Sequence, residues 1–423
     1  MVDLKAKIAL VISPPFWIKT PPLGLEYLKN YLKDYAQPDI FDLNIYFYGL
    51  FKYSPKKWLG LNKDFEDNLF RDAEKKFAKE LNAVIKKLSA YSYVGFSLFK
   101  RNLNFSSNLA ERIKYRSKKT EIIFGGPQTR ETKKLRPKDS IIVEGEGEIP
   151  LLKILRQNKD RHFAYQEIKD LDEIYFNDFK QYDLSLYKPV LPLLSSRGCI
   201  KKCRFCSEYT LYKKFRQHSQ DYMIEQIEYL IKLYKIRRFS FQDSLINADV
   251  NWLEIFCKKI IEKRLNIQWE AQLAIREGMD KKLLSLMKKA GCLNLFVGLE
   301  SGSDETLKNM GKGFTCQDAR GFLSNLKQAD LSFEVSIIVG YPKETEQDFK
   351  KTLLFLKENR NLIPRIAQVS SFSLYKNSSL CNHKNLEQIE PKVISNRMKK
   401  IIRFIEKEKI RHKKAFIDNL SYH

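Results

Sequence analysis

The sequence predicts an α/β protein: an N-terminal doubly wound parallel sheet, then a partial (β/α)6 barrel, then a short helical C-terminal tail. Three observations predict it. Short apolar runs alternate with amphipathic stretches along most of the 423 residues. Glycine or proline closes successive apolar runs in the first third, the punctuation of strand ends in such sheets. The chain is also longer than one ordinary domain, so two or three are expected.

Lys7 to Ser13 reads as a buried strand closed by Pro14 and Pro15. After Pro21 and Pro22, Leu23 to Tyr35 reads as a helix with Leu25, Leu28 and Leu32 on one face. Ile40 to Asn44 is a second strand, and the lysine-rich stretch from Phe65 to Leu88 is amphipathic and helical. Tyr93–Ser97 is the third strand. Another helix leads to Glu121–Phe124, which meets Gly125-Gly126-Pro127. Ser140 to Val143 is the last strand, meeting Glu144-Gly145-Glu146-Gly147-Glu148 and a helix from Pro150. Sheets of this kind bind ligands beyond the carboxyl ends of their strands. Each glycine alone also suits a tight strand–helix turn. The first domain is expected over residues 1–155, followed by a charged, aromatic linker over 156–188.

The second series is expected over 189–376. Its strands are Val190–Ser196, Arg238–Gln242, Ile267–Gln272, Leu293–Glu300, Phe333–Gly340 and Ile366–Phe372, with helices such as Tyr222–Tyr234 and Lys281–Lys289 between them. Six units make a parallel barrel open on one side, with chemistry at the C-terminal ends of the strands. Residues 377–423 form a basic segment with a helix over Lys392–Leu420. Met398, Ile401, Ile402, Ile405 and Ile410 approximate one face of it. That face suits either packing on the barrel or peripheral contact with an anionic membrane.

The hydrophobic fraction, 43%, is that of a chain able to fill real cores. No apolar run is long enough to cross a bilayer, and the first ten residues lack the pattern of a secretory signal, so a cytoplasmic location is expected. The net charge is +25, with 76 Lys and Arg against 51 Asp and Glu. Because the lysines are spread along the whole chain, they read as a solvated surface more readily than as a nucleic-acid face. Of seven cysteines, three crowd into residues 199–206, while Cys257, Cys292, Cys316 and Cys381 are scattered and read as buried apolar residues. That is no disulfide framework.

The crowded three are Cys199, Cys203 and Cys206, spaced CxxxCxxC, with Phe205 before the last. Three thiolates on one loop can hold three irons of a four-iron cluster and leave the fourth open. Lys201, Lys202 and Arg204 would offset the cluster's negative charge. A structural zinc site needs a fourth protein ligand, and the nearest candidate, His218, stands alone.

This loop, placed after the first strand of a β/α series, resembles that of the radical S-adenosylmethionine superfamily. Val297-Gly298-Leu299-Glu300-Ser301-Gly302-Ser303 is similar to the family's fourth-strand segment, and Ile338-Val339-Gly340-Tyr341-Pro342-Lys343-Glu344-Thr345 to its fifth, with Lys343 where a second glycine is usual. The resemblance implies a 4Fe-4S cluster on the three cysteines. It implies S-adenosylmethionine against Phe205, Gln242, Asp243, Glu300, Ser301, Ile338 and Gly340, although the usual Gly-Gly-Glu at the second strand end is absent. The amino and carboxylate groups of the cofactor would ligate the open iron, and its reductive cleavage would give a 5′-deoxyadenosyl radical. A reducing partner such as flavodoxin or ferredoxin is implied.

The ordered series Ser13-Pro14-Pro15, Pro21 to Leu25, Gly95-Phe96-Ser97, Gly125-Gly126-Pro127 and Glu144 to Glu148 resembles the Rossmann-like cobalamin-binding domain fused ahead of many such barrels. It implies cobalamin near Pro14, Pro15, Leu23, Gly24, Ser97, Leu98, Gly125, Gly126, Pro127, Glu144, Gly145 and Glu146. No histidine precedes His162, so no histidine lower ligand comes from this domain. The implied activity is methyl transfer to an unactivated carbon of a small-molecule, lipid or peptide substrate. The alternatives are radical cyclisation, rearrangement or oxidation. A methylthiotransferase would need further cysteines before Cys199, and none is present. A non-catalytic carrier would not need the later barrel motifs.

Overall fold

The structure is a computed structural model that describes residues 6–60, 62–129, 137–375, 378–382 and 387–412, excepting the side chains of 209, 210 and 382. The chain divides into two compact units: one runs to residue 190 and takes in 232–234, and the other comprises 191–231 and the chain from 235 onward.

In the first unit, β1 (Lys7–Ile12) is followed by α1 (Leu23–Leu32), β2 (Gln37–Asp42), α2 (Leu43–Phe51), α3 (Pro55–Leu59), α4 (Lys63–Lys76) and α5 (Ala78–Leu88). Then come β3 (Tyr93–Ser97), α6 (Leu103–Arg116), β4 (Glu121–Gly125), β5 (Ile141–Val143), α7 (Glu148–Leu155) and β6 (His162–Phe163). The strands form one sheet in the order β2-β1-β3-β4-β5-β6, each neighbouring pair parallel. Both neighbours of β1 come later in the chain, so the order reverses between β1 and β3. That reversal opens a crevice at their carboxyl ends. Ile8, Leu10 and Ile12 of β1 share a core with Leu25 and Leu32 of α1 and Leu151 and Ile154 of α7.

Two boundaries differ from expectation for local reasons. The Asp42 side chain accepts the Ile45 N–H, which caps α2 and draws Leu43 and Asn44 into that helix rather than into β2. The stretch from Phe65 to Leu88 is two helices, broken where Phe77 leaves helical geometry at φ −134°. Residues 156–188, expected as a linker, contribute β6 and lie on the first unit. Asn177 accepts from Asn30, Asp178 pairs with Lys29 at 2.5 Å, the Tyr182 hydroxyl donates to the Pro22 carbonyl, and the Tyr187 hydroxyl donates to Asp42. These contacts are polar and distant in sequence, so periodicity could not reveal them.

The second unit runs through β7 (Leu191–Leu193), β8 (Ser196–Arg197), α8 (Glu208–Leu211), β9 (Arg216–Gln217), α9 (Gln220–Tyr234), β10 (Arg238–Phe241), α10 (Val250–Glu262), β11 (Gln268–Leu273) and α11 (Lys281–Lys289). It continues with β12 (Cys292–Glu300), α12 (Asp304–Met310), α13 (Cys316–Gln328), β13 (Phe333–Val339), α14 (Glu346–Glu358), β14 (Ile366–Ser371) and α15 (Pro391–Lys407). Six parallel strands lie in the order β14-β13-β12-β11-β10-β7, an open sheet with β14 and β7 at its edges. The expected first strand is split: after β7 the chain bends, and β8 pairs antiparallel with β9. Helix α15 ends at Lys407, and residues 413–420 of the expected helix lie outside the described residues. Its Ile401 and Ile405 are buried, and it packs against β13, β14 and α14. Among the described residues no helix is long and apolar enough to cross a membrane.

Candidate active site at the strand ends

The loop carrying the three cysteines leaves β8 at Gly198, whose φ is +87°. A Cβ there would stand 2.8 Å from the Lys214 carbonyl oxygen, so the turn requires glycine. The loop is then pinned from within. The Cys206 N–H donates to the Cys203 carbonyl, while the Lys201 and Glu208 N–H groups donate to the sulfurs of Cys199 and Cys206 at 3.4 and 3.5 Å. Burial pushes the Cys199 thiol up to about 11 and the Cys206 thiol up to about 12, and the neighbouring cysteines push the same way. These are protonated thiols until a metal displaces the proton. Among the described residues no three His, Cys, Asp or Glu side chains converge as ligands of one ion would. A four-iron cluster takes its thiolates on different irons, so the three thiols of this loop would each ligate one.

Other elements press on this loop. Phe205 stands edge-on to Tyr341, with ring centroids 6.4 Å apart, and Tyr341 stands edge-on to Phe372 at 5.3 Å. Met310, Tyr341 and Leu380 form a small core to which Phe205, Ile338 and Phe372 add. The Arg204 N–H donates to the Met310 carbonyl, and the Arg204 carbonyl accepts from Leu380 N–H and Ser379 Oγ. The structure thus brings Phe205 together with Ile338 and the β13 end, including Gly340.

Glu300 ends β12 in the left-handed region, φ +69°, where the β12–β13 register shifts. Its carboxylate accepts from Ser336 Oγ at 2.9 Å and lies 3.5 Å from the Lys312 ammonium. Lys312 is buried, sits 5.8 Å from the Phe205 ring, and its charge opposes the upward shift of Cys199. It escaped notice as one lysine among many. Its signal was the flanking Gly311 and Gly313, both at positive φ, which mark a sharply folded loop.

At the end of β10 the two expected residues separate. Gln242 is exposed. Asp243 is fully buried, and its carboxylate accepts from Ser195 N–H and Oγ and from Ser196 Oγ. It holds the segment leading into the cysteine loop. Ser301 is likewise buried, with its Oγ 3.0 Å from Thr352 Oγ1.

In the first unit the expected residues all fall at the carboxyl ends of β1, β3, β4 and β5 or the start of α1. Pro14 and Pro15 follow β1, Leu23 and Gly24 open α1, and Ser97 and Leu98 end β3. Gly125, Gly126 and Pro127 end β4, and Glu144, Gly145 and Glu146 follow β5. The Leu98 N–H donates to the Gly125 carbonyl at 2.8 Å, and a Cβ on Gly126 (φ +96°) would stand 2.8 Å from the Leu98 backbone. Gly24 and Gly125 face open space. Glu144 meets His162 at 3.1 Å, and Glu146 accepts from the Tyr165 hydroxyl at 3.3 Å. The organiser missed in the sequence is Asn102. Fully buried, it donates to the Ser13 and Ser97 carbonyls and accepts from Phe99 N–H, tying the ends of β1 and β3 together. These residues lie at the carboxyl ends of the strands, where sheets of this kind bind ligands.

The pattern of the radical SAM superfamily matches residues 193–356. An uncharacterized methyltransferase of Pyrococcus horikoshii is 25% identical over 366 residues, 80% of this chain and 73% of that protein. A bacteriochlorophyllide d C-12(1)-methyltransferase of Chlorobaculum tepidum is 26% identical over 192 residues, 44% of this chain and 41% of its own length. Among solved structures, the cobalamin-dependent S-adenosylmethionine radical enzyme OxsB with aqua-cobalamin bound superposes with TM-score 0.69 at 15% identity. The match covers 96% of this chain but 62% of OxsB, so this chain spans less than two thirds of that protein. The radical S-adenosylmethionine methyltransferase TsrM of Kitasatospora setae, with cobalamin and a [4Fe-4S] cluster, gives 0.66 at 14% identity, covering 89% of this chain and 77% of TsrM. A radical SAM domain implies an enzyme that uses a 4Fe-4S cluster and S-adenosylmethionine. With its three-cysteine loop at the edge of a six-stranded parallel sheet and a Rossmann-like unit before it, the chain carries the radical S-adenosylmethionine pattern over residues 193–356 and shares the fold of OxsB and TsrM.

Proposed function

We propose that this protein is a cobalamin-dependent radical S-adenosylmethionine methyltransferase that moves a methyl group to an unactivated carbon. The observation that carries this reading is the joint placement of two edges on one chain. A three-thiol loop packs through Phe205 on the β13 end, and glycines line the carboxyl ends of the strands in the β2-β1-β3-β4-β5-β6 sheet. Cys199, Cys203 and Cys206 would hold the cluster. Phe205, Ile338, Gly340, Glu300 and Gln242 would line the S-adenosylmethionine site, with Asp243 and Ser301 holding the backbone beneath them. Residues at the ends of β1, β3, β4 and β5 would hold the corrinoid. When bound, the cluster and S-adenosylmethionine supply the radical and the corrinoid carries the methyl group. The protein's own residues bind, orient and exclude water. A flavodoxin- or ferredoxin-like reductant would serve the cluster.

The test is anaerobic reconstitution with iron, sulfide and hydroxocobalamin, followed by spectra and product analysis with candidate small-molecule, lipid or peptide substrates. A methylated product with both S-adenosylhomocysteine and 5′-deoxyadenosine supports methyl transfer. Failure to retain corrin bands after desalting would overturn cobalamin dependence. One observation favours a second reading: an anaerobic magnesium-protoporphyrin IX monomethyl ester cyclase of Rubrivivax gelatinosus is 25% identical over 195 residues, 45% of this chain and 35% of that one. Deoxyadenosine without S-adenosylhomocysteine would point to such ring closure or oxidation.

A further inference from the structure

Helix α15 carries a buried arginine that packing alone does not require. Arg397 is 4% exposed. Its guanidinium donates to the Glu344 carboxylate at 3.0 Å, to the Glu344 carbonyl at 3.1 Å and to Glu346 at 3.2 Å, and it lies 5.6 Å from the Phe349 ring. Glu344 is itself buried, and the same oxygen that takes Arg397 accepts the Gly340 N–H at 2.8 Å. Gly340 is the turn at the end of β13, at φ +81°, and a Cβ there would stand 2.7 Å from Ile394 of α15. The next residue, Tyr341, donates through its hydroxyl to the Asn309 carbonyl and stands against Phe205 of the cysteine loop. An unbroken chain of buried contacts therefore runs from α15 through Arg397, Glu344, Gly340 and Tyr341 to the residue beside Cys206.

Burying a guanidinium–carboxylate pair costs desolvation that an apolar pair would avoid, so its stability value alone is a weak reason for it. What the pair does supply is direction. A planar guanidinium fork held at once by the Glu344 carboxylate, the Glu344 carbonyl and Glu346 fixes where the Glu344 carboxylate points, and that carboxylate fixes where the Gly340 N–H points.

We infer that Arg397 is a positioning residue for the S-adenosylmethionine site, setting the Gly340–Tyr341 turn from the C-terminal helix through Glu344. The inference rests on the assignment of the β13 end to S-adenosylmethionine. In this role the last helix is a wall of the site, and the basic tail acts through one buried cation rather than through its surface charge.

The test uses the full chain with its cluster reconstituted anaerobically. S-adenosylmethionine affinity is measured by equilibrium dialysis, and the reduced cluster is followed by electron paramagnetic resonance with and without S-adenosylmethionine. Arg397→Gln should keep its cluster iron yet bind S-adenosylmethionine about tenfold or more weakly, with a smaller change in the cluster spectrum on addition. Arg397→Lys, which keeps the charge but loses the fork, should recover part of the affinity. Lys400→Gln, which removes the exposed pair to Glu346 on the same helix, should bind within about twofold of the unsubstituted protein. Unchanged affinity in both Arg397 variants, with only a lower melting temperature, would make Arg397 purely structural and overturn the inference. Equal weakening in Lys400→Gln would overturn it too, by pointing to general loosening of the helix. If the unsubstituted protein binds no S-adenosylmethionine although its cluster is intact, the assignment of the site fails first.

Discussion

At the scale of single residues, chemistry and packing are separable by burial and partners. Cys199, Cys203 and Cys206 share one loop and are only half-buried, whereas Cys257 and Cys292 are buried in α10 and β12. Replacing any of the three by Ala should abolish both cluster iron and 5′-deoxyadenosine formation. Cys257→Ala or Cys292→Ala should preserve both, as iron analysis and chromatography of the products will show. Asp42 offers a different test. Partly exposed at the end of β2, it is packed under Tyr187, and burial pushes its carboxyl up to about 6 from 3.8. Between those values the folded protein holds a proton that the unfolded chain has released. Stability from this group is therefore present below pH 4 and lost as pH rises toward 6, by on the order of 2 kcal/mol after discounting for solvent. Urea titrations at pH 4.5 and 7 should show that decline, and Asp42→Asn should flatten it.

At the scale of elements, the strands were legible and their mutual fastening was not. Tyr93–Ser97 and Lys281–Lys289 match observed elements end to end, because an apolar run or a 3.6-residue repeat is written locally. The two-residue β6 carries no such run and exists only because β5 lies beside it. The cysteine loop was legible from its spacing. Lys312 and Asn102 were not legible as parts of a site, because Lys312 meets Glu300 and Asn102 meets Ser13 across the fold. Asp243 was expected at the site, but its hydrogen bonds to Ser195 and Ser196 were not legible. Asn102 joins the ends of two strands with three hydrogen bonds while fully buried. Asn102→Ala strands the buried Ser13 carbonyl and the part-buried Ser97 carbonyl and Phe99 N–H, and should cost about 2–3 kcal/mol of stability. A denaturant titration should register the loss, and retention of hydroxocobalamin should weaken with it if the β1–β3 crevice is the corrinoid site.

At the scale of the molecule, charge and fold give separate messages. A net charge of +25 on a 49.9 kDa chain means self-repulsion that salt should relieve. Raising ionic strength from about 0.01 to 0.15 M shortens the Debye length from roughly 30 to 8 Å. The thermal unfolding midpoint should rise with it, and a fall would mean that attractive pairs dominate. The +25 was fully legible in composition, yet composition gave no sign that Arg397 belongs to the interior. Leu380 and Arg397 both lie beyond residue 376, where the barrel was expected to end. A shortened chain ending there would keep all six strands and all three thiols of the loop. It would also lose the N–H that meets the Arg204 carbonyl and the guanidinium that aims Glu344. Such a fragment would show cluster absorption and bind its cosubstrate poorly, so the excision boundary read from strands alone falls one helix short of the working protein.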